Sequence, residues 1–328
     1  MLYFRQKNDK IVCLLCRHYC QLKEGQVGIC GVNQNKNGEL ENLVYGKVAA
    51  LNVDPIEKKP LYHFLPDSSS LSLGTVGCNF QCPFCQNWQI SQSKEIASSH
   101  EISVDEIVNI ALQRGCKSIS YTYNEPTIFY PFAKDIALKA KEHGIKSVFV
   151  SNGLETPEVI ADMKGVIDAF NIDLKSFDKG YYKKVLKGSL DGVLDSLKRL
   201  KEGGFWVEVT TLIVPDVNDG KEELAKIASF IADELDVYTP WHISAFHPDF
   251  KMQDGDGTKI EKLIEAKEIG ERAGLKYIYL GNVGAKSITY CPACNQALIE
   301  RDGFAVIKNS LIDGKCPNCQ RELEGVWS

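Results

Sequence analysis

The chain has 328 residues, 44% of them hydrophobic and 25% charged, with a net charge of −5. That composition suits one α/β barrel with small appendages, and it excludes broad electrostatic attraction to nucleic acid or an anionic membrane; a nucleic-acid substrate met at a local patch stays open. No uncharged apolar run reaches the length of a membrane span, and Met1 to Lys10 is charged without an apolar core, so no secretory leader is expected and the cytoplasm is the expected compartment.

Residues 1–67 read as an N-terminal Cys-rich metal-binding region: a loop segment, a strand pair around Leu40 to Val48, and the polar stretch Asp54 to Pro60. Residues 68–285 alternate apolar β-like runs with helical patterns. The runs are Leu71–Gly74, Ser118–Thr122, Ser147–Val150, Ala169–Asp173, Trp206–Ile213, His242–Phe246 and Tyr277–Leu280. Helices are expected from Ser103, where Glu106 completes a capping box, and over Phe132–His143, Gly192–Glu202, Glu222–Glu234 and Lys259–Ala273. Such alternation predicts a parallel sheet with right-handed crossovers, either doubly wound or curled into a partial (β/α)6 TIM-like barrel. Residues 286–328 form a short Cys-rich tail.

Of the 12 cysteines, all but Cys116 fall into three groups. Such grouping in a long chain fits metal or redox chemistry better than disulfides. Cys78, Cys82 and Cys85 form CxxxCxxC directly after the first β-like run, at the strand end where parallel barrels carry their chemistry. Three thiolates are one short of the four that close an ordinary [4Fe-4S] site, which frees one iron to bind a small molecule. A structural zinc wants a fourth ligand, and this loop has none. Cys291, Cys294, Cys316 and Cys319 form CxxC-x21-CxxC, the spacing of a zinc ribbon or a rubredoxin-like iron site, in a tail too small to fold on its core alone. Cys13, Cys16, Cys20 and Cys30 form a second four-Cys set with Gly25, Gly28 and Gly31 in its loops; zinc or a second Fe-S cluster fits, and His18 is a possible substitute ligand. Cys116 reads as a small core residue.

CxxxCxxC with the aromatic Phe84 before the last cysteine resembles the radical S-adenosylmethionine (SAM) superfamily. The resemblance implies a [4Fe-4S] cluster whose fourth iron chelates SAM, and one-electron cleavage of SAM to a 5′-deoxyadenosyl radical that abstracts hydrogen from substrate. Four later strand ends resemble those of the related pyruvate formate-lyase activating enzymes. Glu125-Pro126 is similar to a Gly-Gly-Glu-Pro element, with Tyr123-Asn124 in place of the glycines, and implies a carboxylate for the SAM ammonium. Ser151-Asn152-Gly153 is similar to their Thr-Asn-Gly element, with Val150 where an acid often stands. Asp173 and Lys175 match an Asp-x-Lys in which the lysine pairs with the SAM carboxylate; strand alternation puts both on one face. His247 matches a SAM-contacting histidine, whereas His242, at the strand's start, reads as structural.

Taken whole, the chain resembles the AmmeMemoRadiSam system radical SAM enzymes, through Cys13-Leu-Leu-Cys16-Arg-His-Tyr-Cys20, Asp54-Pro-Ile-Glu-Lys-Lys-Pro60, Pro240-Trp-His-Ile-Ser-Ala-Phe-His-Pro248, Gly281-Asn-Val283 and Gly325-Val-Trp327. That implies a functional link to a Memo-like and an AMMECR-like protein, and an electron donor such as flavodoxin or ferredoxin. The substrate expected is macromolecular. Glycyl radical enzyme activation is the alternative within enzymes, and a non-catalytic iron-sulfur or zinc binding module the alternative outside them.

Overall fold

The computed structural model describes residues 3–284 and 286–328; Met1 and Leu2, which begin the charged N-terminal stretch, and Ala285, the expected last residue of the core, lie outside the described residues. Seven strands run parallel in chain order: strand one Ser69–Gly74, strand two Ser118–Tyr121, strand three Lys146–Ser151, strand four Ala169–Asp173, strand five Trp206–Ile213, strand six Trp241–Ala245 and strand seven Ile278–Gly281. An eighth, Ala50–Pro55, pairs antiparallel with strand one. It comes from the segment N-terminal to residue 67 yet hydrogen-bonds into the main sheet. The strand order ends at Ala50–Pro55 on one side and strand seven on the other, so the sheet is mixed and open.

Helices Val104–Gln113, Tyr130–Lys141, Pro157–Met163, Leu190–Glu202, Lys221–Phe230 and Ile260–Arg272 return the chain from strands one to six. Ser103 and Glu106 form the expected capping box. Pro157–Met163 is shorter than the other five; Thr156 caps it and Pro157 sits in its first turn, but its short pattern escapes a periodicity reading. Strands two and six are buried throughout, as parallel strands covered on both faces must be. Tyr121, Phe149 and Phe170 stand opposite one another on strands two to four, in ring contact at 5.3 and 5.7 Å, on the helix-covered face. Their sequence neighbours therefore face the interior. On strands four to six the inward residues run from a floor, Glu208 and His242, to a mouth, Asp173, Leu212 and Ser244.

The N-terminal segment differs from expectation. It opens with a three-stranded antiparallel sheet, Phe4–Lys7, Lys10–Cys13 and Gln21–Lys23. The strand pair expected around Leu40 to Val48 lies earlier, Asn33–Lys36 against Glu39–Asn42. Asn37 and Gly38 both have positive φ, 55° and 79°, the backbone that closes a two-residue hairpin. Lys47–Val48 pairs instead with His100–Glu101. Asp54 and Lys59, in the expected polar stretch, form a buried ion pair at 2.7 Å. The tail is a three-stranded antiparallel sheet, Lys286–Tyr290, Ala297–Asp302 and Ala305–Asn309, packed against the sheet floor. Arg301 makes that junction. It is 0% exposed, donates to the Tyr62 carbonyl at 2.7 Å and to Thr289 Oγ1 at 3.0 Å, and lies 3.6 Å from Glu57.

Candidate active site

A cavity of ≈ 290 Å³ opens at the C-terminal ends of the strands. Cys78, Cys82 and Cys85 line one wall, together with Phe84. Strand ends two to four contribute Glu125, Asn152, Asp173 and Lys175 to the same lining, all predicted. Because strands two to seven all contribute, the sheet must curl around the cavity without closing.

The cluster loop is held at its root by Asn124. Its Nδ2 donates to the Gly77 carbonyl at 2.8 Å and to Thr75 Oγ1 at 3.0 Å. The neighbouring Tyr123 has φ 70°, so it takes on its own the left-handed backbone that glycine adopts freely, and its hydroxyl donates to Asp54 at 2.8 Å. Each of the three sulfurs has a partner suited to a thiolate. The Phe80 amide donates to Cys78 Sγ at 3.4 Å, and Ser91 Oγ lies 3.1 Å from Cys85 Sγ. Burial pushes Cys82 up to about 12, and the Lys175 cation is the chief force pulling it back. A cysteine trio so surrounded fits an iron-sulfur cluster, whose irons would replace the protons.

Lys175 and Asp173 both line the cavity and pair with each other at 2.7 Å, as alternation predicts. Burial opposes the ammonium charge, but the Asp173 carboxylate outweighs it and holds Lys175 above its ordinary range. Glu125 is tied into protein contacts that the sequence did not announce. Its two oxygens accept from the Thr127 amide at 2.9 Å, Ser151 Oγ at 2.9 Å and the Asn152 amide at 2.8 Å. Ser151 Oγ also contacts Glu155. One hydroxyl has one proton, so the second of these contacts needs a proton held by a carboxyl. Accordingly burial, then the charge of Glu155, raises Glu125 well above the ordinary carboxylate range. Asn152 Nδ2 donates to Asn79 Oδ1 at 2.7 Å, joining strand three to the cluster loop.

His247 is not among the cavity's lining residues. It is exposed and borders a neighbouring cavity of ≈ 310 Å³ that shares Gln86 and Asn282. The loop after strand six meets the cluster loop instead through Asp249, which accepts from Trp88 Nε1 at 3.2 Å, and Phe250, stacked on Trp88 at 5.2 Å. Sequence reasoning missed Asn171, Thr210, Ser244 and Asn282 as lining residues. The signal for Asn171 was available: it lies two residues before Asp173 on the same strand face. His242 is structural as expected, its Nε2 2.6 Å from Glu208 at the floor.

At the opposite end, the sulfurs of Cys291, Cys294, Cys316 and Cys319 all lie within 4.8 Å of one another. A tetrahedral zinc with Zn–S near 2.3 Å sets sulfurs about 3.8 Å apart, so this set suits one metal ion. Among the described residues no helix is long and apolar enough to cross a membrane.

The radical SAM superfamily profile matches residues 72–231. With its cysteine trio and open α/β sheet, the chain belongs to the radical SAM superfamily, whose members are enzymes using a [4Fe-4S] cluster and SAM. It is 43% identical to an uncharacterized protein of Methanocaldococcus jannaschii over 99% of this chain and 98% of that one. A pyruvate formate-lyase-activating enzyme of Staphylococcus epidermidis is 25% identical over 53% of this chain and 73% of its own. The SAM-bound structure of Streptococcus suis SuiB shares the fold with a TM-score of 0.53 at 14% identity, covering 69% of this chain and 53% of that one.

Proposed function

We propose that Cys78, Cys82 and Cys85 hold a [4Fe-4S] cluster and that SAM lies between it and the ends of strands two to four. The observation that carries this is the shared cavity, lined by the cysteine trio together with Glu125, Asn152, Asp173 and Lys175. When bound, the cluster would supply one electron to SAM, releasing methionine and a 5′-deoxyadenosyl radical that abstracts hydrogen from substrate. The chain's own groups do the orienting. Lys175 presents its ammonium to the SAM carboxylate while Asp173 holds it in place. Glu125 and Asn152 offer side-chain oxygens to the SAM amine. Phe84 keeps that side of the cavity dry. His247 is left to the neighbouring cavity, and Ser244 and Asn282 take its expected place.

Among radical SAM enzymes the AmmeMemoRadiSam branch is the reading the motifs support, with a Memo-like and an AMMECR-like protein as partners and a flavodoxin or ferredoxin as electron donor. The substrate is a macromolecule. Likeness to pyruvate formate-lyase-activating enzymes favours activation of a glycyl radical protein as the second reading. Zinc is the proposed metal of the ribbon.

Anaerobic reconstitution followed by SAM titration of the reduced cluster's paramagnetic signal, with assay of 5′-deoxyadenosine, tests the reaction. A binding module would give neither response. Mass spectrometry of candidate partner proteins before and after turnover tests the substrate; a backbone radical scar at glycine would favour activation, and a mass change elsewhere would favour modification.

A further inference from the structure

The N-terminal cysteines are drawn together by their own turns. Strand Lys10–Cys13 ends at Cys13, whose amide donates to the Cys20 carbonyl at 3.0 Å. The loop to Cys30 passes so close that a Cβ on Gly28 would lie 3.6 Å from Cys20 Sγ. The thiols are within electrostatic reach of one another: Cys13 of Cys20 and Cys30, Cys16 of Cys13 and Cys30. Every sulfur faces an N–H group. The amides of Leu15, His18 and Ile29 lie against Cys13, Cys16 and Cys20, and Asn33 Nδ2 donates to Cys30 Sγ at 3.4 Å. Donors aimed at four clustered sulfurs, three of them buried, make a nest for thiolates, and four thiolates there need cations to share.

A second observation is independent of the cysteines' mutual arrangement. Asn79, 1% exposed, has a side-chain Nδ2 with no hydrogen-bond partner, and the thiol it faces is Cys16. A buried amide proton left without an acceptor is costly unless an anionic sulfur takes it. Spacing then separates the metals. Among the described residues the ribbon is the set whose ligand atoms all lie within 4.8 Å; neither the N-terminal four nor the active-site trio is that compact. A [4Fe-4S] cluster holds its four thiolates farther apart than a single zinc ion does. His18 ties the cysteine loop to the cluster loop, its Nε2 2.9 Å from the Asn79 carbonyl oxygen.

We propose that Cys13, Cys16, Cys20 and Cys30 hold a second [4Fe-4S] cluster, which takes one electron from a one-electron donor protein and passes it to the active-site cluster. The proposal rests on the reading of Cys78, Cys82 and Cys85 given above. The donor is oxidised by one electron, the active-site cluster is reduced by one, and the relay returns to its starting state. The path is short. Asn79 touches Cys16 and His18 on one side and is bonded to Cys78 on the other. Gly77, at φ 89°, lies so close to the Cys30 carbonyl oxygen that a Cβ would approach it to 2.5 Å. On its far side the site reaches the surface, through half-buried Cys20 and exposed Val27 and Ile29.

The test uses the full chain, reconstituted anaerobically, with iron, sulfide and zinc counted. Wild type should hold about eight irons, and the variant with Cys78, Cys82 and Cys85 all changed to Ala about four, with a reduced signal that ignores SAM. Cys13→Ser with Cys20→Ser should lose half the iron, keep its zinc and keep the SAM-responsive signal. With a reduced flavodoxin as donor its 5′-deoxyadenosine formation should fall about tenfold or more below that with dithionite, relative to wild type. Loss of one zinc with iron unchanged overturns the proposal, as does no change in either metal, and equal slowing with both donors overturns the relay. Should the double variant not fold, the active-site triple variant decides: iron near zero in it overturns the second cluster. A wild type whose only cluster signal ignores SAM would instead sink the active-site reading.

Discussion

The two four-cysteine regions have similar counts and opposite surroundings. The C-terminal set closes on itself, with sulfurs 3.5 and 3.7 Å apart across its two knuckles and a small core of Leu298, Ile299 and Leu323 around it. It sits at the floor of the sheet, joined by Arg301, His63 and Glu324. The N-terminal set lies at the other end of the strands. Its sulfurs face Asn79 and the loop that carries the active-site trio, at the mouth. Cysteine spacing alone left both metals open; what distinguishes the two sets in the fold is what each faces, the sheet floor for one and the active-site loop for the other.

That division can be broken from the ribbon side first. Cys291→Ser with Cys316→Ser should remove one zinc and leave the tail protease-sensitive, because binding energy of about 10–16 kcal/mol supplies the folding of so small a unit. The SAM-responsive signal should survive; its loss would mean the floor and mouth are coupled. Next in size is Arg301→Met. It strands Glu57 in the interior without its cation, a cost of about 3–5 kcal/mol, read as a fall in the melting temperature. Adding Glu57→Gln should recover part of the loss, and no recovery would argue that packing rather than charge was removed.

Acid should act on the same junction. Burial holds His63 down at about 4, against an ordinary 6.5. Its Nδ1 lies 2.8 Å from the Glu324 carbonyl oxygen and its Nε2 2.6 Å from the Tyr279 hydroxyl, contacts that suit neutral imidazole. The unfolded chain therefore takes up this proton first. The stability is complete above pH 6.5 and drains away as pH falls from 6.5 towards 4, by about 3 kcal/mol in all. Denaturant midpoints across that window check it, and His63→Gln should flatten the slope. The smallest effect lies at the mouth. Lys175→Met should lower SAM affinity by about one to two decades, the equivalent of about 1.5–3 kcal/mol, with the iron content and the ribbon's zinc unchanged. Wild-type affinity would leave Lys175 as a partner of Asp173 alone.

What was legible in the sequence was what short-range pattern encodes. The seven strands carry apolar runs, and the cysteine trio and Asp173–Lys175 are set by local spacing and alternation. Contacts made between strands were not legible. Two of the three donors that occupy Glu125, Ser151 Oγ and the Asn152 amide, come from the register of strand two against strand three, and nothing local to Glu125 announces Ser151 or Glu155. His247 lies outside the cavity lining for a related reason: the chain after strand six turns so that Asp249 and Phe250 meet the cluster loop, and a motif match carries no information about that turn. The N-terminal hairpin was different, since Asn37-Gly38 is a local turn signal that the strand pattern downstream outweighed.

The close approach of Gly77 to Cys30 bears on how this protein can be re-engineered. A methyl group at position 77 would meet a main-chain oxygen, not a movable side chain, and would also have to tolerate φ 89°. The loop before Cys78 and the loop after Cys30 thus fit as a lock and its key. Neither can be swapped as a cassette: a chimaera that pairs this barrel with the first segment of a distant relative would misplace the active-site loop even if every cysteine were retained.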